Sequence, residues 1–478
     1  MRSAILVLAL TLYGCASSPD YKSSGVPVPT AYRALADSQP TQYVAPDTTT
    51  TAHTTAPVAA DVSPDYWRRL GDTTLLRLID EVSRSNLDVA AAKARVNAAG
   101  ADRMRAALDL APSATLAGAY TRQRYAAASF PGLSGVLPDQ NVWEAGVAAS
   151  WDLDVFGRIR HNVQGQGALV GAAEQDLRDV QVSFTAELAR AYFELRGAQE
   201  QLEVARHSAE NQERTVALTK ERLAAGRGSA FDTQRAQAQL SSTLAIIPTR
   251  EAQVAAAQYQ IGTLVGRSPT EVARELDQPA PVPPLPDVTM IDSPESVVRL
   301  RPDVASAERV AAAQGAFVGA AKANYLPRLS IGGTAGYSSP QFNGLGTIDM
   351  GRYSVGPVLS WPILDLGRVK AEVNAAQARE EDARARYQHT VLSAVQELET
   401  TLVRYRSARQ GLELLEEASD ASERAAELAR MRFREGVTDL LQVLDAERTL
   451  LFAQDRLAQG RVDAATAYAA LYRAVGGR

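Results

Sequence analysis

Two stretches of this chain repeat the same passage from an alternating run into a very long helical run, and any fold must accommodate both. Trp151, Leu153, Phe156, Gly157, Arg158 and Ile159 correspond to Trp361, Ile363, Leu366, Gly367, Arg368 and Val369, an offset of 361 − 151 = 210 residues. The same offset carries Arg222, Leu223, Gly226 and Ala236 onto Arg432, Phe433, Gly436 and Ala446. Two matches at one offset, well separated along the chain, mark an internal duplication. Earlier in each copy, Asp88-Val89 and Pro112 match Asp303-Val304 and Pro327 at 303 − 88 = 215 residues, so the second copy has the shorter loop. The 478 residues therefore read as two similar halves of one body, 65–277 and 291–478, joined by a Pro-rich linker at 278–290.

The long runs are helical by pattern. No proline occurs between Pro138 and Pro248, and none follows Pro362. Phe184, Leu188, Ala191, Leu195, Ala198, Leu202, Ala205 and Ala209 alternate steps of four and three, as do Val391, Val395, Leu398, Leu402 and Tyr405. That is the heptad signature of supercoiled helices. From Arg158 the first rod spans roughly 100 Å at 1.5 Å per residue, far beyond a globular-domain helix. It turns at Gly226-Arg227-Gly228-Ser229 and returns over 230–265, with a kink expected at Pro248. The second hairpin, 367–475, turns at Gly436. Shorter helices are expected over 87–110 and 303–325, each stopped by a proline.

Four strands are expected, at 113–122, 142–153, 329–337 and 353–363. In the second, Trp143, Ala145, Val147, Ala149, Trp151 and Leu153 share a face opposite Glu144, Gly146, Ser150 and Asp152. In the fourth, Tyr353, Val355, Pro357, Leu359, Trp361 and Ile363 oppose Ser354, Gly356 and Ser360. Such strands fit a transmembrane barrel, with Trp143, Trp151, Tyr353 and Trp361 as its interface girdle. They also fit the edge of a soluble sandwich. Four strands cannot close a barrel, and open edges are forbidden in lipid. If they span, the barrel is shared between chains, and three chains supply twelve strands.

Residues 1–15 read as a signal peptide: Arg2, a short apolar core from Ile5 to Leu12, then Gly14-Cys15. The ending resembles a bacterial lipobox with Cys15 as the acylated residue, although Tyr13 departs from the usual small residue. An ordinary cleaved signal is the other reading. Ala16 rather than aspartate after the cysteine favours outer-membrane sorting, by resemblance to lipoproteins. An extended Pro/Ser/Thr-rich leader follows at 16–64. No later run of 18 apolar residues exists, so no spanning helix is expected. One cysteine precludes an internal disulfide, and 50 basic against 55 acidic residues give no broad basic surface for nucleic acid.

No catalytic set is present. His53, His161, His207 and His389 lack metal-ligand spacing, so neither a cofactor nor a metal is expected beyond a lipid on Cys15. Gly165, Gly167 and Gly171 sit early in a rod and read as close helix packing rather than a phosphate loop. The informative polar residues lie at the helical turns. Thr438 or Asp439 can cap the returning helix. Asp445 and Arg448, three apart on one face, form either a surface ion pair worth under about 1 kcal/mol or, around a symmetry axis, a gate.

In sum of motifs, the chain resembles the TolC-like outer-membrane factor family, in its lipid-anchored branch serving tripartite RND-type efflux systems. Cys15 with Pro19-Asp20-Tyr21, Trp67-Arg68-Arg69-Leu70-Gly71-Asp72, Arg301-Pro302-Asp303-Val304, Asp365-Leu366-Gly367-Arg368 and Gly436 through Leu444-Asp445-Ala446 carry the resemblance. It implies a mainly α fold with a membrane β-barrel: a homotrimer, twelve strands in the outer membrane, and a coiled-coil helical tunnel in the periplasm. It implies an exit duct that docks a periplasmic adaptor and, through it, an inner-membrane transporter. The family's periplasmic constriction maps onto Asp445, Leu441 and Arg448. An additional acidic position of some members is Gln442 here. Adaptor contacts map onto the turns, Arg222, Gly226 and Ser229 in one and Arg432, Gly436 and Asp439 in the other. A duct for small hydrophobic or amphiphilic compounds leads. A type I secretion duct for polypeptides, a metal-ion duct and a lipid-tethered coiled-coil scaffold are the alternatives.

Overall fold

The computed structural model describes residues 66–125, 138–286 and 293–477. Cys15, the rest of the signal and the leader 16–64 lie outside the described residues. In chain order the elements are α1 (Thr73–Ser85), α2 (Leu87–Leu108), β1 (Ser113–Gln123), β2 (Gln140–Asp152), α3 (Arg158–Ala224), α4 (Ala230–Leu244) and α5 (Ile247–Leu264). There follow α6 (Pro269–Glu275), α7 (Pro294–Leu300), α8 (Pro302–Ala323), β3 (Arg328–Ser339), β4 (Gly351–Ser360), α9 (Leu366–Arg434) and α10 (Leu440–Ala474). The chain divides into two compact units that cut across the duplication. One takes Arg95–Glu174 and Ser306–Gln388; the other takes Gln175–Ala305, His389–Arg478 and the described part of Val26–Ala94. Each unit thus contains matching pieces of both repeats.

The first unit holds one antiparallel sheet in the order β1-β2-β3-β4. The fourth strand is shorter than its alternation suggests. It ends at Ser360, because Pro362 has no N–H for a ladder and Ile363–Asp365 form a 3-10 turn that leads into α9. Trp361 and Ile363 therefore lie beyond the strand. The early glycines of α3 serve close packing: a Cβ on Gly165 would overlap the Phe317 ring, and one on Gly171 the Arg309 side chain. Phe317 and Arg309 belong to α8, so small residues let the two helices approach.

The second unit carries the main core, where Leu188, Tyr192, Phe193 and Leu195 meet Leu75, Leu78, Ile261 and Tyr468. Tyr66 stacks on Tyr468 at 4.4 Å and donates its hydroxyl to the Tyr468 carbonyl, pinning the start of the described chain to α10. Gly71, at φ +68°, lets the chain turn after Leu70, and Asp72 then caps α1 by accepting from Leu75 N. The return of the first hairpin breaks at Ala245-Ile246, and Pro248 occupies the first turn of α5, where its missing N–H costs nothing.

Arg301 is the polar centre of this unit. It is 5% exposed and donates to Asp303 at 2.8 Å, Glu397 at 2.7 Å and the Ala474 carbonyl at 2.8 Å. Burial opposes its charge, but the two carboxylates outweigh burial and hold its pKa above the ordinary value. Asp179 is pushed the other way for a carboxylate: burial raises its pKa, then the charge of Asp303 raises it further, against Arg473 and Arg301. A carboxyl whose folded pKa exceeds its unfolded value costs stability as pH climbs through that window. Asp179→Asn is therefore expected to raise the midpoint of thermal unfolding by a few degrees near neutral pH. The gain should vanish below the ordinary carboxylate pKa of 3.8. Thermal unfolding followed across that pH range checks it.

Candidate functional site

The register of the sheet brings the expected apolar residues that fall within the strands to one face. Leu116, Val147, Ala335 and Tyr353 stand in one row, Ala114, Ala149, Gly333 and Val355 in a second, and Trp151, Ile331 and Pro357 in a third. Little covers this face: Leu116 is 79% exposed, Tyr353 85% and Val355 75%. Contiguous apolar exposure on this scale marks a surface made for an apolar medium. The opposite face is small and polar. Thr334 and Ser354 hydrogen-bond at 2.9 Å, and Arg352 reaches across β3 to Glu144 at 2.7 Å.

Among the described residues both outer strands are open along one edge. Leu153 N–H donates to the Leu329 carbonyl at 3.0 Å, so that pair is hydrogen-bonded. Alternation along the ladders then turns the N–H groups of even-numbered β3 residues toward β4. Pro357 lies opposite Ile331, in a pair without hydrogen bonds, and its nitrogen faces away from β3. The proline thus costs this sheet no bond, and sits where an edge strand tolerates one.

The four expected girdle residues take distinct places. Trp143 meets Tyr120 at 4.5 Å and Phe342 at 5.1 Å at one end of the strands. At the other end the Trp151 indole donates to the Leu110 carbonyl at 2.8 Å, and the Trp361 indole to the Tyr325 carbonyl at 3.1 Å. These are the same bond in the two repeats, tying each hairpin to the end of the preceding helix. Tyr353 aligns with Val147, four residues along from Trp143. Equivalent residues are thus displaced by about 13 Å along the strands for about 10 Å across them. They come level only if the strands tilt strongly, as closure into a barrel requires. Tyr120 and Phe342 escape a reading of alternation alone, because their contacts with Trp143 are cross-strand and loop contacts.

The helical turns are matched to the bond. Gly226 at φ +69° and Gly436 at φ +77° adopt the left-handed conformation that ends α3 and α9. Arg227 N returns to the Arg222 carbonyl and Val437 N to the Arg432 carbonyl, both at 2.9 Å. Ser229 caps α4 by accepting from Phe231 N, and Asp439 caps α10 by accepting from Gln442 N at 3.2 Å. Thr438 bonds instead to the Gln442 side chain. The two turns are also joined. Arg222 lies over the Phe433 ring at 4.2 Å and donates to the Phe433 carbonyl at 2.6 Å. Its counterpart Arg432 is exposed.

Asp445 accepts from Arg448 at 2.8 Å, with both side chains about 70% exposed, and Leu441 is exposed beside them. Within one chain this is a surface pair. Two residues further along α10 is a group with no obvious sequence signal. Glu447 is 3% exposed, and its Oε1 accepts from Arg430 Nε at 3.0 Å and Thr215 Oγ1 at 3.2 Å. It joins α3, α9 and α10. Its counterparts at the 210-residue offset are Gln237, Lys220 and Ala425, so the first repeat carries no such acid. Asp445 likewise corresponds to Arg235 (445 − 210 = 235), and Leu441 to Phe231.

Among the described residues no helix is long and apolar enough to cross a membrane, and no group of three or more His, Cys, Asp or Glu could hold a metal. A lipid-ready antiparallel sheet continuing into paired helices of 67 and 69 residues defines the class of TolC-like outer-membrane channels. The chain matches the family described as Outer membrane efflux protein over residues 78–267 and 294–477, and it belongs to that family. The solved outer-membrane channel OprN is similar at 34% identity, with 97% of this chain and 99% of that one covered and a TM-score of 0.85. The antibiotic efflux pump outer membrane protein ArpC of Pseudomonas putida is 28% identical over 100% of this chain and 96% of its own length. The pyoverdine export outer membrane protein OpmQ of Pseudomonas aeruginosa is 28% identical over 100% and 97%. The protein is an outer-membrane efflux channel whose helices extend into the periplasm.

Leaving one partner of a buried ion pair behind costs about 3–5 kcal/mol. Arg430→Ala is therefore expected to destabilise the channel markedly, and Arg430→Ala with Glu447→Gln to recover part of the loss. Chemical denaturation of the single and double variants checks the coupling; strictly additive losses would break the link between the two residues.

Proposed function

We propose that three copies of this chain form one passive exit duct for small hydrophobic or amphiphilic compounds, with no catalytic step. The carrying observation is the sheet. Its apolar face is complete and its outer edges are unpaired, and in lipid those edges need partners. Three sheets of four strands give a closed barrel of twelve, with the Thr334, Ser354 and Glu144 face lining the lumen. The helices of the three chains then enclose a periplasmic passage.

In this assembly Asp445, Arg448 and Leu441 of the three copies meet around the axis and form the periplasmic constriction. The helical turns are the docking points for a periplasmic adaptor, which couples the duct to an inner-membrane transporter that supplies the energy. Gly226, Ser229, Gly436 and Asp439 shape those turns, and Arg432 offers a free-standing cation there. Arg222 is engaged with Phe433 and acts in holding the two turns together. Substrate choice lies upstream of the duct. In support, relatives named for antibiotic efflux and for pyoverdine export are equally similar to this chain.

Trimers purified in detergent and reconstituted into planar bilayers test the gate. Replacing Asp445 and Arg448 together with alanine should raise single-channel conductance several-fold, whereas unchanged conductance removes them from the constriction. Cys15 carries the proposed lipid anchor. Cys15→Ser should abolish metabolic labelling with fatty acid, and labelling that survives the substitution excludes that residue as the attachment point.

A further inference from the structure

Beyond its aromatic row, the lipid-facing side of the first hairpin becomes cationic. Leu116 and Tyr120 of β1 lie on the apolar face, and Arg122 is the next residue on it, opposite Asn141. Arg124 follows just past the end of β1, whose last pair is Gln123 with Gln140. Both guanidiniums close on that one carboxylate. Arg122 reaches Asp139 Oδ2 through Nε at 3.1 Å and Nη2 at 3.0 Å, and Arg124 Nε reaches Oδ1 at 2.6 Å. Both arginine side chains are more than half exposed. Two cations on one anion leave a net positive charge, and most of the ten N–H donors of the two forks remain unspent on Asp139.

Their height follows from the strand. Arg122 stands about 7 Å beyond Tyr120 at 3.4 Å per residue, and Arg124, just past the strand's end, reaches the same carboxylate. Tyr120 and Trp143 make the aromatic belt, which settles at the level where hydrocarbon gives way to headgroups. The arginines are therefore at headgroup level. α3 and α9 leave the sheet from the other strand ends, and they extend into the periplasm, so this rim faces the outer leaflet. The second hairpin has no counterpart: the 215-residue offset places Tyr337 at the position of Arg122 and Ser339 at that of Arg124.

We propose that Arg122 and Arg124 form a binding site for a phosphate group of the phosphorylated glycolipid in the outer leaflet. Asp139 neutralises one of the two charges, and the free N–H groups of both forks donate to the phosphate oxygens in bidentate fashion. A brace for the hairpin alone would need one arginine on one carboxylate. The second cation and its exposure to the lipid side fit an anion from outside the chain.

The test measures phosphorylated glycolipid carried per protein by the purified full-length channel, using native mass spectrometry. Arg122→Gln with Arg124→Gln is expected to lower it at least five-fold, on the order expected from losing two charge-assisted contacts. Asp139→Asn, which frees both cations, should hold as much lipid as the unaltered protein or more. The unaltered protein, stripped and re-exposed to lipid A or to its dephosphorylated form, should retain only the phosphorylated one. Wild-type retention by the double variant, a matching loss in Asp139→Asn, or equal retention of the two lipids would each overturn the proposal. The last comparison needs no variant to fold.

Discussion

Every backbone N–H and C=O in a bilayer core must find a partner inside the protein, and the four-stranded sheet of this chain does not supply them all. Among the described residues β1 and β4 each pair along one side only. That deficit governs the architecture. An apolar face this exposed belongs in lipid, lipid forbids the open edges, and the edges are satisfied only by other sheets. The helices inherit the same arrangement, since α3 and α9 follow directly from β2 and β4 and repeat at the same interval as the strands. In the proposed trimer the chain has no need of a spanning helix, because its crossing element is distributed among copies.

The duplication is faithful in shape and unfaithful in charge. Both hairpins close with a left-handed glycine and a capped return, and both sheet hairpins anchor a tryptophan indole on the carbonyl that ends the preceding helix. The polar residues differ. Glu447 ties three helices together where the other repeat has Gln237, and Asp445 stands where the other has Arg235. Arg222 is folded onto Phe433, whereas Arg432 stays exposed. Backbone economy explains the likeness, since the same turn and ladder must be built twice. The differences fall on the surfaces where the two hairpins meet each other or meet something else.

Much of this was legible in the residues. Alternation from Trp143 to Leu153 and from Tyr353 to Leu359 found the apolar face, and the register aligned all of it. Glycine at 226 and 436 announced turns because few other residues adopt their conformation. Long-range polar contacts were not legible. Glu447 looks like any helix-surface acid until α3 and α9 close over it, and nothing near it in sequence names Thr215, 232 residues away. The end of β4 was overrun because Trp361 and Ile363 keep the alternation after Pro362 has already broken the ladder. The compact units were hidden too, since they are made of interleaved pieces and no composition shift marks their limits.

Pro357 has a consequence for the life of the chain before it reaches the membrane. A newly exported copy carries a bare, apolar, ten-residue edge through water, the kind of template on which strands of other molecules stack into fibres. Midway along that edge a pyrrolidine ring replaces a donor, so a casual visitor cannot zip down its full length. The residue that leaves the sheet of one chain untouched thus removes one rung from any ladder built against that edge.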